Sequence, residues 1–456
     1  MRLLAILPLG LALALLCLAL LPLAESVGLA PAAPVQASGL PAPTGVYTTY
    51  LPLVLRSFAN ELFPNDPHFD DEWGLEAVEA PRAWSLTCGY SSVTLAVLDT
   101  GTDLDHPDLV DKVRTDLDYD FVNDDNVADD DAGHGTHVSG IAAAATNNER
   151  GVAGLGWETT LLPIKVLDDT GYGNTEDLAD AIRYAADNGA DVINMSLGGE
   201  GISCSAEGLW YMREAISYAY EQGVVLIAAA GNTGTNTDIF PANCEHVLGV
   251  AATSSSGSRA TYSTYGDHVS VAAPGSYIYS TGWAGEAYCS SGYCYKSGTS
   301  MATPHVAGLA ALLSAHYPDY TPDQIASAIL DNAEDRGAEG WDPYYGCGTI
   351  NAYQALSEGA HGSYPACLGT RTWAADPTEE TQMTAGFVAG EIIVSFQPGV
   401  RAEQMTLRYG TSAEFLSSLN VWRLHVRPGQ EQAILARLQA DPAVARAALN
   451  YEVTGW

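Results

Sequence analysis

From about Val93 onward, short β-branched apolar runs alternate with longer stretches in which apolar residues recur at helical spacing. The runs Val93–Leu98, Leu161–Val166, Asp191–Met195, Val224–Ala229 and Val247–Ala251 predict strands. Helices are expected between and after them, over His134–Ala145, Thr175–Asn188, Ala206–Gln222, Ser300–His316 and Thr321–Asn332. The last carries Thr321 as N-cap and Pro322 in its first turn. Such alternation implies an α/β fold, a doubly wound and mostly parallel sheet flanked by helices. In that architecture ligands and catalytic groups belong at the carboxyl ends of strands.

The pattern changes at both ends. Residues 38–64 are rich in Pro, Ala, Gly and Thr and read as a linker or arm, so the α/β unit is expected over 65–357. A second Gly-, Ser-, Pro- and Thr-rich stretch covers 358–385. Beyond it, residues 386–456 predict a small α+β domain: strand Glu391–Phe396, helix Ala402–Ser418, strand Trp422–Val426 and helix Glu431–Ala440. At the other end the apolar run Leu3–Leu23 behind Arg2 reads as a signal for export, with small-residue cleavage sites after Ala24 or after Ala37. The second boundary makes the signal segment 1–37. The run is also long enough to cross a bilayer as an uncleaved anchor.

Acidic residues number 55 against 19 Lys and Arg, a net charge of −36, which repels a phosphate backbone and argues against nucleic acid as a partner. A surface this negative suits an exported protein or a calcium binder, and charge does not choose between them. Export also sets the redox state of seven cysteines beyond the signal. Local spacing suggests Cys289 with Cys294 and Cys347 with Cys367; Cys204 with Cys244 would then staple two neighbouring strand-helix units, with Cys88 the candidate free thiol. The alternative is that several are simply buried small apolar residues.

Three blocks carry candidate chemistry. Asp99 ends the first strand, and alone it is an ordinary turn or cap residue. His134 opens a helix in Gly133-His134-Gly135-Thr136-His137, where two histidines three apart are also a possible metal pair. Ser300 sits in Ser297-Gly298-Thr299-Ser300-Met301-Ala302-Thr303-Pro304-His305, at a helix N-terminus whose dipole stabilises nearby negative charge. A serine hydroxyl is a poor nucleophile until an imidazole takes its proton and a buried carboxylate fixes that imidazole's tautomer. The combination of Asp99, His134 and Ser300 is therefore far more informative than any member. Asn232, after the buried strand and Gly231, offers an amide NH2 to an oxyanion. A serine esterase of the α/β-hydrolase type does not fit, because Ser300 lacks the Gly-x-Ser-x-Gly elbow and the order of the three residues differs.

In these blocks, from Asn65 to Ala352, the chain resembles the subtilisin family of serine peptidases, and the thermitase branch of it in particular. The resemblance implies Asp99 as orienting carboxylate, His134 as general base and acid, Ser300 as nucleophile and Asn232 as oxyanion donor together with the Ser300 backbone N–H. It implies a secreted endopeptidase that acts on protein or peptide substrates through an acyl-enzyme, as a monomer. Substrate would add as a strand between Gly171-Tyr172-Gly173 and Ser196-Leu197-Gly198. The pocket for the residue before the cleaved bond would be lined by Ala228 to Gly231, Ala230 and Gly231 included, with Ile239 near its floor shortening it.

The run Asp120 to Asp131 is dense in oxygen ligands at odd spacing, which suits calcium or a solvated acidic loop. The resemblance selects structural Ca2+ held by Asp120, Asn123, Asp125, Asp129 and the Val127 carbonyl. A second ion would join Asp66, Asp108 and Asn148 with the carbonyls of Ala145, Arg150 and Val152. Residues 386–456 resemble the family's propeptide or inhibitor domain, which normally precedes the catalytic domain. They are expected to bind the catalytic domain and either assist its folding or inhibit it, the tail Asn450–Trp456 being free to enter its groove; the alternative is a tethered accessory module. The rival is a catalytically silent peptide binder using the same groove.

Overall fold

The structure, a computed structural model, describes residues 61–362, 365–368 and 386–455. The expected signal segment, the arm up to residue 60, most of the second linker and Trp456 lie outside the described residues. The first half contains α1 (Trp73–Ala77), α2 (Ala80–Trp84), β1 (Thr94–Asp99), β2 (Tyr119–Asp120), α3 (His134–Ala143), β3 (Thr160–Lys165), β4 (Tyr172–Asn174), α4 (Thr175–Asp187), β5 (Val192–Met195) and β6 (Leu197–Glu200). Then come α5 (Trp210–Glu221), β7 (Val225–Ala229), β8 (Ile239–Phe240), β9 (Val247–Thr253), β10 (Val271–Pro274), β11 (Ile278–Thr281), β12 (Tyr293–Lys296), α6 (Thr299–His316), α7 (Pro322–Leu330) and α8 (Ala352–Glu358). The C-terminal part has β13 (Phe387–Phe396), α9 (Ala402–Tyr409), β14 (Ser412–Leu416), β15 (Val421–His425), α10 (Glu431–Gln439) and β16 (Val444–Gly455).

Seven strands form the central sheet in the order β10-β9-β7-β5-β1-β3-β2, with parallel pairing throughout. Its strands are apolar at successive positions because both faces are covered. In β1, Leu95 and Val97 belong to the buried cluster that includes residues of α3, α6 and α7, whereas Ala96 and Leu98 belong to the opposite cluster with α4 and α5. Helix α6 is buried almost all round, so its sequence is apolar or small on every side. Thr321 caps α7 in a reciprocal capping box with Gln324, as its sequence predicts. The expected pairs Cys204–Cys244, Cys289–Cys294 and Cys347–Cys367 are disulfides, and Cys88 is buried with its sulfur 3.7 Å from the Trp84 carbonyl oxygen. Among the described residues no helix is long and apolar enough to cross a membrane.

The C-terminal segment forms an antiparallel sheet in the order β14-β15-β13-β16. One face, with Ile392, Val394 and Leu424, packs with Met405 of α9 and with Ile434 and Leu438 of α10. The other face, with Ile393, Val421, Leu449 and Tyr451, joins the cluster beneath α4 and α5. One expectation is corrected. The helix anticipated over Ala402–Ser418 stops at Tyr409, because Gly410 turns into the left-handed region at φ 67°, and Ser412–Leu416 is a strand. Strand β16 was not anticipated at all, although Leu449, Tyr451 and Val453 alternate at strand spacing.

Candidate active site

Asp99 is fully buried at the carboxyl end of β1, and its Oδ1 accepts from His134 Nδ1 at 2.7 Å and from the Thr100 N–H at 2.8 Å. A carboxylate can only accept here, so the imidazole proton sits on Nδ1 and Nε2 is left with its lone pair. The approach is close because Gly135 has no side chain: a Cβ there would lie 2.0 Å from the Gly101 carbonyl oxygen. Gly133, at φ 88°, turns the chain into α3 and presents His134 at its first position.

Two charged residues that looked like surface positions hold this corner. Asp130 is buried and accepts from the N–H groups of Ala132, Gly133 and Thr136 and from the hydroxyls of Thr100 and Thr136. Lys165 is buried at the end of β3 and donates to the carbonyls of Thr100 and Leu167 and to Asp131. The sequence signal for both was their proximity to the His134 block and to a strand end.

Ser300 is buried in the first turn of α6, where backbone N–H groups have no partner within the helix. Its Oγ donates to the Ser196 carbonyl at 2.9 Å, and Ser196 Oγ donates back to the Ser300 carbonyl at 2.9 Å. That carbonyl is open because the residue four places on is Pro304, which has no N–H to give it. Helices α3 and α6, whose first turns carry His134 and Ser300, pack against each other. Asn232 follows Gly231, which is at φ 96°. Its Oδ1 accepts from the Thr299 N–H at 2.9 Å and the Thr299 hydroxyl at 3.1 Å, which orients the amide and leaves Nδ2 as the outward donor. Thr299 was not singled out in the sequence, and its position beside Ser300 was the only hint.

The two segments expected to flank a substrate already flank a strand. β16 runs antiparallel to both, pairing Glu452, Val453 and Thr454 with Asn174, Gly173 and Tyr172, and Thr454 and Gly455 with Gly198 and Leu197. The Gly455 N–H donates to the Gly171 carbonyl at 3.0 Å, while Val453 is fully buried. A Cβ on Gly455 would lie 3.1 Å from Leu167 Cδ1 and 3.5 Å from His134 Nδ1, so the strand end runs beside the imidazole. Ser196 lies one residue before β6. Ala230, Gly231 and Ile239 lie together, and a Cβ on Gly231 would be 2.9 Å from Ile239 Cδ1.

The candidate metal ligands fall into two groups of different character. Asp66 and Asp108 are buried, and Asp66 is pushed up from the usual carboxylate range by burial, with the Asp108 charge adding to it. Among the described residues no Lys, Arg or His pairs with these carboxylates: Asp66 accepts from the N–H groups of Asn147 and Asn148, and Asp108 from Asn148 Nδ2, the Val152 N–H and the Tyr293 hydroxyl. Two buried carboxylates with an amide and neighbouring carbonyls suit a hard divalent cation. Ala145 and Arg150 share that corner, through the Ala145 N–H to the Asp108 carbonyl and the Arg150 N–H to Asn148 Oδ1. In the second group Asp120 is buried, and its carboxylate closes the turn by accepting from Val122, Asn123 and the Asn123 side chain. Asn123, Asp125, Val127 and Asp129 are exposed around it. His137 does not join His134 in a metal pair: it is buried, bonded through Nε2 to the Cys294 carbonyl at 3.1 Å, and pushed by burial down to about 3.

Residues 90–348 match the model of the subtilase family, described as Peptidase_S8. Thermitase of Thermoactinomyces vulgaris is 42% identical over 294 residues, spanning 64% of this chain and 99% of that protein. A thermophilic serine proteinase of Bacillus sp. (strain AK1) is 42% identical over 312 residues, 67% of this chain and 73% of the relative. An extracellular protease of Xanthomonas campestris pv. campestris is 35% identical over 345 residues, 66% of this chain and 58% of the relative. Among solved structures, a protease from Pseudoalteromonas arctica aligns with a TM-score of 0.58 at 34% identity, covering 65% of this chain and 99% of that one.

Proposed function

Because the chain belongs to the subtilase family and is accordingly a serine-type endopeptidase, we propose that it cleaves peptide bonds through an acyl-enzyme on Ser300. Ser300 Oγ attacks the carbonyl carbon while its proton passes to His134 Nε2, and Asp99 stabilises the imidazolium that results. The oxyanion is met by Asn232 Nδ2 and the Ser300 N–H at the positive end of α6. His134 then gives its proton to the leaving amine. A water molecule repeats the sequence on the ester and restores Ser300. The observation that carries this reading is the 2.7 Å bond between buried Asp99 and His134 Nδ1, since it leaves the opposite nitrogen as base. Ser300→Ala should abolish hydrolysis of a peptide anilide while the protein stays folded, and near wild-type turnover would overturn the assignment.

Substrates bind as a strand between Gly171-Tyr172-Gly173 and Ser196-Leu197-Gly198, with Ala230, Gly231 and Ile239 shaping a shortened pocket. Calcium is structural: when bound it offsets the charge of clustered carboxylates and ties separate loops together. Asp66, Asp108 and Asn148 with the carbonyls of Ala145, Arg150 and Val152 would hold one ion. Asp120, Asn123, Asp125, Asp129 and the Val127 carbonyl would hold another. The enzyme is secreted as a monomer, with 1–37 as signal and 65–357 as the peptidase domain.

The domain over 386–456 is the peptidase's own inhibitor. The pairing of Glu452–Gly455 between β4 and β6 supports this, because it has the backbone hydrogen bonding of an added substrate strand and ends beside His134.

A further inference from the structure

The seam between the inhibitory domain and the peptidase has an unusual charge balance. The first turns of α4 bring Glu176, Asp177 and Asp180, and the C-terminal sheet lays Glu391 of β13, Glu414 of β14 and Arg423 of β15 over them. Arg423 is the shared counterion: its Nε is 3.1 Å from Glu176, one terminal nitrogen 3.4 Å from Glu414 and the other 3.9 Å from Glu391. The Glu176 side chain is 1% exposed, and its Oε2 makes no hydrogen bond in spite of facing the guanidinium. Asp180 accepts from Ser418 and is also near Arg183. From α5 the Tyr211 hydroxyl is bonded to Thr175, next to Glu176 in the chain. His425 lies 3.9 Å from Glu414 and opposite Glu391 in the strand register. Asn450 of β16 closes the seam without charge, accepting from the Glu176 N–H and bonding Asn174 and Glu391.

We propose that docking of the C-terminal sheet on α4 takes up protons at Glu176 and Asp177, so the inhibitory strand is held in the groove at low pH and released as pH rises. This rests on the reading of β16 as an inhibitor. The physical cause is burial of carboxylates in excess of their counterion. In the docked chain burial pushes Glu176 up to about 9 against the attraction of Arg423, and Asp177 up to about 6. Asp180 is raised by burial as well. With the sheet lifted away, these groups face water at the start of a helix and return to the ordinary carboxylate range near 4. A group that is protonated docked and ionised undocked binds one more proton in the docked state. Docking is then strongest below the undocked pKa and weakens tenfold per pH unit per such group until the docked pKa is passed. Both groups act up to about pH 6, and Glu176 alone acts between about 6 and 9.

The test uses full-length chains and hydrolysis of a peptide anilide between pH 6.5 and 8.5. The rate of the wild-type chain is divided at each pH by that of Val453→Asp, which puts a charge at a fully buried docking position and leaves the strand out. The ratio cancels the titration of His134. It is expected to rise about tenfold per pH unit towards one, and to stay low and flat in Glu176→Gln, whose neutral amide docks without a proton. A ratio below one that does not change with pH, or an equal slope in Glu176→Gln, overturns the proton linkage alone. A ratio of one at every pH overturns the occupied groove as well. Asp177→Asn gives a second reading: its slope between pH 5 and 6 should drop from about two decades per unit to one, and an unchanged slope contradicts the proposal.

Discussion

Asn450→Ala isolates how strongly the C-terminal strand is held. Asn450 is fully buried and reaches across the seam to Thr175, to the Glu176 N–H and to Asn174 at 3.1–3.2 Å. Its fourth bond, to Glu391 at 2.9 Å, lies within the C-terminal segment and survives undocking, so it does not count towards docking. The Glu176 N–H keeps a second acceptor in Asn174 Oδ1, and Thr175 keeps the Tyr211 hydroxyl, so neither is orphaned by the substitution. Three interfacial bonds at about 1 kcal/mol each give a loss of about 2–3 kcal/mol in docking. At 1.4 kcal/mol per decade, the open fraction of the full-length chain should rise by about 30-fold to 150-fold. Initial rates on a peptide anilide at fixed pH and saturating calcium report that fraction directly. They should rise by this factor, or to the ceiling set by Val453→Asp if the strand is fully released first. A rate equal to wild type would refute the reasoning, because a buried residue bridging the two parts would then contribute nothing to their association.

Asn232→Ala should lower kcat by about 10²-fold to 10³-fold with KM nearly unchanged, since its Nδ2 serves only the developing oxyanion; a pure rise in KM would contradict that role. EGTA should lower the unfolding temperature by the loss of ligand binding to the native state, about 2.7 kcal/mol if calcium was present at 100 times its Kd. Asp108→Asn and Asp125→Ala should each remove part of that difference, and identical melting of the wild type with and without calcium would refute both sites. His305 is buried and pushed by burial down to about 4, with Nδ1 2.8 Å from the Met301 carbonyl oxygen. A base depressed in the folded state contributes stability above its unfolded pKa of about 6.5 that is lost as pH falls towards 4. In an inactive Ser300→Ala background, His305→Gln should therefore flatten the slope of urea stability between pH 6.5 and 5 by about 1.4 kcal/mol per unit. An unchanged slope would mean that His305 does not titrate with unfolding.

The sheet and the placement of the four candidate residues Asp99, His134, Asn232 and Ser300 at strand ends and helix starts were legible because the information is local. β1 announces itself by a run of buried apolar residues ending in Asp99, and the Gly133–His137 and Ser297–His305 blocks carry their small residues contiguously. Gly135 is needed for close approach to Gly101, and Pro304 for an open carbonyl at Ser300, so the spacing itself encodes the geometry. What was not legible depends on residues far apart in the chain. Asp130 and Lys165 look like surface charges until the fold closes five donors around one and three oxygens around the other. β16 contains Arg446, Asn450 and Glu452 among its apolar residues, and reads as a polar tail. Its burial comes from neighbours on both sides, supplied by β13 within its own sheet and by β4 and β6 about 250 residues away in sequence. Two local signals were passed over: the alternation of Leu449, Tyr451 and Val453 in β16, and Gly410, a left-handed helix stop inside what looked like a continuous helix.

The central claim is that Ser300, activated by His134 and Asp99, is the nucleophile of a peptidase. The most direct measurement is intact and peptide-level mass after reaction of the Val453→Asp chain with a fluorophosphonate, followed alongside hydrolysis of a peptide anilide. One adduct should form, on Ser300, with activity lost in step with its stoichiometry, and no adduct should form in the Ser300→Ala form of the same chain. Continued hydrolysis with Ser300 fully modified, or loss of activity with the adduct on another residue, would contradict the account.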